Sequence, residues 1–179
     1  MKQWFELIIV SKRLKNCMIH TSCDSTSPRP KPTCESSLII SSNNDCHKLF
    51  ENGWSFITVN NGLCNEISGT STLSRNPCLR SIVIGNNCFS YTNSFLIESV
   101  PFLESIVVGN NSFTKHKEDC PSESNDKTRS LRINHCPHLK EFIVGLYSFN
   151  DYAGGLNLTS LMNSVLSHLR SSSFTNYHN

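Results

Sequence analysis

The sequence predicts a β-rich repeat solenoid of about 4-5 stacked parallel coils with short terminal helices. The first observation is a recurring pattern. Leu79–Phe89, Leu103–Phe113 and Leu139–Phe149 each place apolar residues at offsets 0, 3, 5 and 10 from a leading Leu, with Gly at offset 6. The second is spacing: the first two copies begin 24 residues apart, and the third begins 36 later, one period plus about a dozen residues. The third is the length of that period. A repeat in the twenties is too short to bury its apolar face alone and must bury it against its neighbours.

Within a copy, offsets 3 and 5 share one face of an extended strand while offsets 2 and 4 point away. Coils stacked about one strand spacing (roughly 4.8 Å) apart align equivalent side chains. Ile82, Ile106 and Phe142 then make one interior column, and Ile84, Val108 and Val144 another. Leu79, Leu103 and Leu139 open each copy; Phe89, Phe113 and Phe149 form an aromatic spine on the far side. The Gly at offset 6 is expected to permit a tight turn. Asn86-Asn87 and Asn110-Asn111 follow it, where side-chain amides satisfy corner backbone groups. A second period-2 element follows in each unit: Phe95 and Ile97, Leu131 and Ile133, Leu156 and Leu158, with Leu96, Arg132 and Asn157 on the opposite face.

Four segments follow along the chain. Residues 1–37 hold an N-terminal stripe (Leu7, Val10, Leu14, Cys17, Met18), compatible with a helix or a strand, and a Ser/Pro linker. Residues 38–75 are degenerate first coils: Leu38–Ile40 reads as a strand, and Trp54, Ile57 and Val59 as a worn copy with Asn60 for Gly and Cys64 for Phe. Residues 76–161 are the repeat core, with a polar insertion at 114–128 that maps to a loop. Residues 162–179 are a cap or degenerate last repeat; Leu158, Leu161, Met162, Val165, Leu166 and Leu169 favour a short helix.

These residues resemble a leucine-rich repeat, nearest the BspA-like type, in which Cys-x-x-Leu-x-x-Ile-x-Ile alternates with Gly-x-x-(Ala/Ser)-Phe. Cys136-Pro-His-Leu139 and Gly145-Leu-Tyr-Ser-Phe149 carry the likeness best. It covers about residues 76–161, with a worn extension from about 54 to 174. The resemblance implies a protein-binding horseshoe, a class with many cell-surface members. One departure stands out: offset 4 is usually polar in that family and is apolar here.

That departure locates the expected binding face. The parallel sheet should expose Ser81 and Val83, Ser105 and Val107, and Glu141 and Ile143, with Thr58 extending the offset-4 column. A β-branched strip of this kind suits an apolar segment of another protein or peptide; the plain alternative is that β-branched residues merely suit strands. Sixteen basic against fourteen acidic residues give a net charge of only +2, which implies no bulk attraction to nucleic acid. Arg80, Arg132 and Lys140 are not expected to share one column. His135 and His138 around Cys136, Cys46-His47, and His116 near Cys120 are the residue types of a zinc site or a Cys/His nucleophile, but His135-x-x-His138 falls at the repeat's opening corner, where Cys-Pro-x-Leu is the structural pattern, and no general-base carboxylate recurs nearby. No enzyme, metal or cofactor is expected.

Nine cysteines, an odd count without a Cys-x-x-Cys pair, argue against a regular disulfide framework, and Cys88 and Cys136 read as small buried hydrophobes. The N-terminus makes a poor signal peptide, since Glu6 interrupts a short apolar run, and no stretch is long enough to span a membrane. An intracellular interaction module or scaffold is the expected role. A cell-surface adhesin-like protein, with sequons at Asn110 and Asn157, and a truncated non-functional copy of a longer repeat protein stand as alternatives.

Overall fold

The computed structural model describes residues 33–35, 37–115 and 127–159. The chain divides into residues 1–31 and 32–179, and all described residues lie in the second unit. The N-terminal stripe, the Ser/Pro linker to residue 32, the middle of the insertion and the C-terminal cap lie outside the described residues.

The expected β-rich architecture is present as two parallel sheets. In chain order the strands are β1 (Leu38–Ile40), β2 (Phe56–Val59), β3 (Gly69–Ser74), β4 (Ser81–Ile84), β5 (Thr92–Glu98), β6 (Ser105–Val108), β7 (Ser130–Asn134), β8 (Glu141–Val144) and β9 (Leu156–Thr159). Five strands form one sheet in the order β1-β2-β4-β6-β8, and four form the other in the order β3-β5-β7-β9. From β2 onward the chain visits the two sheets alternately, so each copy of the sequence pattern contributes one strand to each. A 3-10 helix, Asn43–Phe50, lies between β1 and β2 and buries Cys46 and Leu49.

The register is continuous. Ile57, Ile82, Ile106 and Phe142 are successive partners across the five-stranded sheet, as are Val59, Ile84, Val108 and Val144. All eight are buried. Facing them are Ser71, Phe95 and Leu131, and then Leu73, Ile97 and Ile133, in register across the other sheet. The core is thus the space between two inner faces. Strand β3 carries no sequence signal beyond alternation: its Gly-Thr-Ser-Thr-Leu-Ser run presents Leu73 as the single large apolar residue.

The rings of Phe89, Phe113 and Phe149 stack at 4.9 and 4.6 Å with interplanar angles of 5° and 9°. Each of these Phe residues has a positive φ, 57°, 57° and 59° respectively. Left-handed backbone at such a bulky residue is costly, and here a fully buried aromatic stack offsets it. Cys64 at the same offset has φ 60°. Two further left-handed positions recur: Gly62, Asn87, Asn111 and Tyr147 at offset 8, and Arg75, Ser99 and His135 four residues before each leading Leu.

The offset-6 glycine has a different purpose from the one expected. Gly85, Gly109 and Gly145 are not at positive φ; a Cβ on any of them would lie 2.5–2.9 Å from atoms of the preceding copy. Glycine is required by close approach, not by turn geometry. The Asn beside it forms the expected corner bonds, reaching across to the next copy. The N–H of Asn86 donates to Oδ1 of Asn61 at 2.8 Å, that of Asn110 to Asn86 at 2.7 Å, and that of Leu146 to Asn110 at 2.8 Å. Behind this ladder runs a hydroxyl one. Ser112 Oγ donates to the carbonyl of Gly85 and accepts from the N–H of Cys88, and Ser148 Oγ repeats this with Gly109 and Ser112.

Two disulfides correct the reading of the cysteines. Cys34 joins Cys78 and Cys46 joins Cys64, spanning 44 and 18 residues. Partners come from different copies and from the 3-10 helix, so spacing along the chain carries no trace of the pairing. Both sit at the N-terminal end of the sheets, where β1 ends the order of the described strands. Cys88 and Cys136 are free and buried; burial pushes both thiols above the ordinary range.

Candidate protein-binding face

The outer face of the five-stranded sheet is built by strand alternation. With offsets 3 and 5 turned into the core, offset 4 must face out. Across the sheet the partners are Ile39, Thr58, Val83, Val107 and Ile143, one unbroken column over five strands. Ile39, Val83 and Ile143 are 63%, 38% and 43% exposed; Thr58 and Val107 are half-buried. Ile39 is an addition that the isolated Leu-Ile-Ile run did not reveal, because only its pairing with Thr58 gives it a column.

Beside this column lies that of Phe56, Ser81, Ser105 and Glu141. Ser81 and Ser105 are half-buried and their hydroxyls lie 3.0 Å apart, Glu141 is exposed, and Phe56 is 48% exposed. The two columns together place the predicted surface residues on one face and add Ile39 and Phe56 to it. The predicted core residues Leu79, Ile82, Ile84, Phe89, Leu103, Ile106, Val108, Phe113, Leu139, Phe142, Val144 and Phe149 lie beneath, all buried.

A charged rim borders the face, and, as expected, Arg80, Arg132 and Lys140 do not all share one column. Arg80 and Lys140 do share a column, with Glu104 between them: the N–H of Glu104 donates to the carbonyl of Arg80, and that of Lys140 to Glu104. Glu104 bridges the two cations, at 3.1 Å to Arg80 and 2.8 Å to Lys140. Lys140 first, and Arg80 after it, hold the Glu104 carboxyl below the usual carboxylate range. Arg132 stands apart, on the other sheet in register with Leu96 and Asn157. One carboxylate between two cations leaves the rim a net charge of +1, and with Arg132 on the other sheet no basic stripe forms.

The other chemistry-bearing residues among those described lie in separate places. His135 lines a 440 Å³ surface cleft with Ser99, Pro101 and Pro137, while His138 stacks on Phe102 with ring centroids 6.1 Å apart. Arg129 and Asp151 are both 1% exposed and pair at 2.8 Å. Arg129 also donates to the carbonyls of Ser90, Thr92 and Phe113 and lies 4.8 Å from the Tyr152 ring centroid. This buried cluster ties the return of the insertion to the core. Among the described residues no group of three or more His, Cys, Asp and Glu could hold a metal ion, and no helix is long and apolar enough to cross a membrane. Comparison with known proteins finds no matching family model, curated protein or solved structure.

Proposed function

We propose that this chain is a leucine-rich-repeat coil of the BspA-like kind acting as a non-enzymatic protein-interaction module. Its docking surface is the outer face of the five-stranded sheet. The single observation that carries the reading is the column Ile39, Thr58, Val83, Val107 and Ile143, continuous across five strands and apolar at four of its positions. A contiguous, partly exposed apolar strip of this kind suits an interaction surface.

The chemistry of the strip selects its occupant. Four strand spacings span roughly 19 Å, the length of an α-helix of about 13 residues. A helix laid along the column presents one apolar residue per turn, about 5.4 Å apart, close to the spacing of the column. The Arg80–Glu104–Lys140 rim keeps a net charge of only +1, so the apolar strip dominates the choice of partner. The fitting partner is therefore an amphipathic helical segment of another protein, held by its apolar face.

The test replaces Val83, Val107 and Ile143 together with Thr, keeping β-branched side chains in the strands. A photo-crosslinker at position 58, in the same column, should capture a partner peptide with a helical apolar stripe, whereas the same group at position 96 on the other sheet should not. The triple variant should keep its circular dichroism spectrum and lose that crosslink. Undiminished capture by a folded triple variant would refute the proposal.

A second reading concerns location and rests on the disulfides. Bonds such as Cys34–Cys78 and Cys46–Cys64 persist in oxidising compartments and are rare in the cytosol. They favour a secreted or cell-surface interaction module over the intracellular one.

A further inference from the structure

We propose that Asn157 carries an N-linked glycan and that Asn110, the other Asn-x-Ser/Thr site, does not. The inference is independent of the docking-face proposal. It rests on the two disulfides, which place folding where oligosaccharyl transfer also occurs, and on the different surroundings of the two asparagines.

Asn157 is exposed on β9 and pairs in register with exposed Arg132. Its strand ends the order of the four-stranded sheet. Apart from half-buried Leu96, the outer face there is hydrophilic: Thr70, Thr72 and Arg132 are exposed, and Ser74 and Glu98 half-buried. A hydrated sugar on this face displaces nothing from the core.

Asn110 is an interior rung of the corner ladder. Its N–H donates to Asn86 and its Oδ1 accepts from Leu146. The next copy packs so tightly that a Cβ on Gly145 would lie 2.6 Å from that same Oδ1. Asn110 is also exposed, but its side-chain amide is held by the bond from the Leu146 N–H to its Oδ1, and its sequon partner Ser112 is fully buried, donating to the Gly85 carbonyl.

The transfer balances without redox change. The amide nitrogen of Asn157 attacks C1 of an oligosaccharide carried on a polyprenyl diphosphate. The C1–O bond breaks, polyprenyl diphosphate leaves with the electron pair, and the amide proton passes to the base of the host transferase. The glycan then marks the four-stranded sheet as a solvated face.

The experiment is mass mapping of the full chain purified from the cells that make it. Treatment with peptide-N-glycosidase in heavy-oxygen water converts a glycosylated asparagine to labelled aspartate. Label is expected at position 157 and native asparagine at 110, and Asn157→Gln should remove the electrophoretic shift that the enzyme also removes. Unmodified Asn157, or label at position 110, overturns the inference.

Discussion

Gly145 packs directly over Asn110: a Cβ on the glycine would lie 2.6 Å from both the backbone nitrogen and Oδ1 of the asparagine. The same approach recurs between Gly109 and Asn86, so one residue type sets the distance between copies.

Gly109→Ala should therefore destabilise the protein by about 2–3 kcal/mol, since the atoms it meets are backbone and a bonded amide. Gly62→Asn is the contrast. That glycine has open space around it and φ +77°, a region Asn tolerates, and Asn87 holds the equivalent position at φ 57°. Denaturant titration should show a large loss for the first variant and a change within about 0.5 kcal/mol for the second.

Tyr147 occupies that same left-handed position with φ 60°, yet is 44% exposed. An aromatic residue gains little there to offset the strain. Tyr147→Asn should raise stability by roughly 0.5–1 kcal/mol, read as a higher Tm.

Arg129→Ala leaves the Asp151 carboxylate buried without its cation, and should cost about 3–5 kcal/mol. Replacing both together, Arg129→Met with Asp151→Leu, should recover most of that loss. A double-mutant cycle measures the difference; equal losses in the single and double variants would show that packing, not charge, governs the site.

Reducing the disulfides should cost about 4 kcal/mol for Cys34–Cys78 and about 3 for Cys46–Cys64, from loop-closure entropy over 44 and 18 residues. Cys88 and Cys136, buried with thiols pushed up, should resist iodoacetamide until the chain unfolds. Non-reducing peptide mapping checks both statements.

Glu104 should titrate below the ordinary glutamate value. Because its folded-state pKa is depressed, whatever the ion triad contributes is present at neutral pH and lost as pH falls through that lowered midpoint. Lys140→Met should move the midpoint upward more than Arg80→Met does, and high salt should shrink both effects. Carboxyl carbon NMR resolves the order.

Much of the architecture was legible in one dimension because local alternation decides it. Ile82 and Ile84 must face one way and Val83 the other, whatever surrounds them. The 24-residue step from Leu79 to Leu103 foreshadows parallel partners in register, and the outer column followed from the same arithmetic. Legibility failed where neighbours, rather than local periodicity, set the requirement. Leu73 alone could not announce β3, and Ile39 became part of the face only by pairing with Thr58.

The sequence by itself determined the period, the inward and outward residues of each repeat strand, and the aromatic at offset 10 of each full copy, since these depend on side-chain spacing along one extended chain. Only the tertiary structure decided the cysteine pairs, the Arg80–Glu104–Lys140 bridge and the true purpose of the offset-6 glycine. Each of those depends on distances of a few ångströms between residues tens of positions apart, which chain order does not encode.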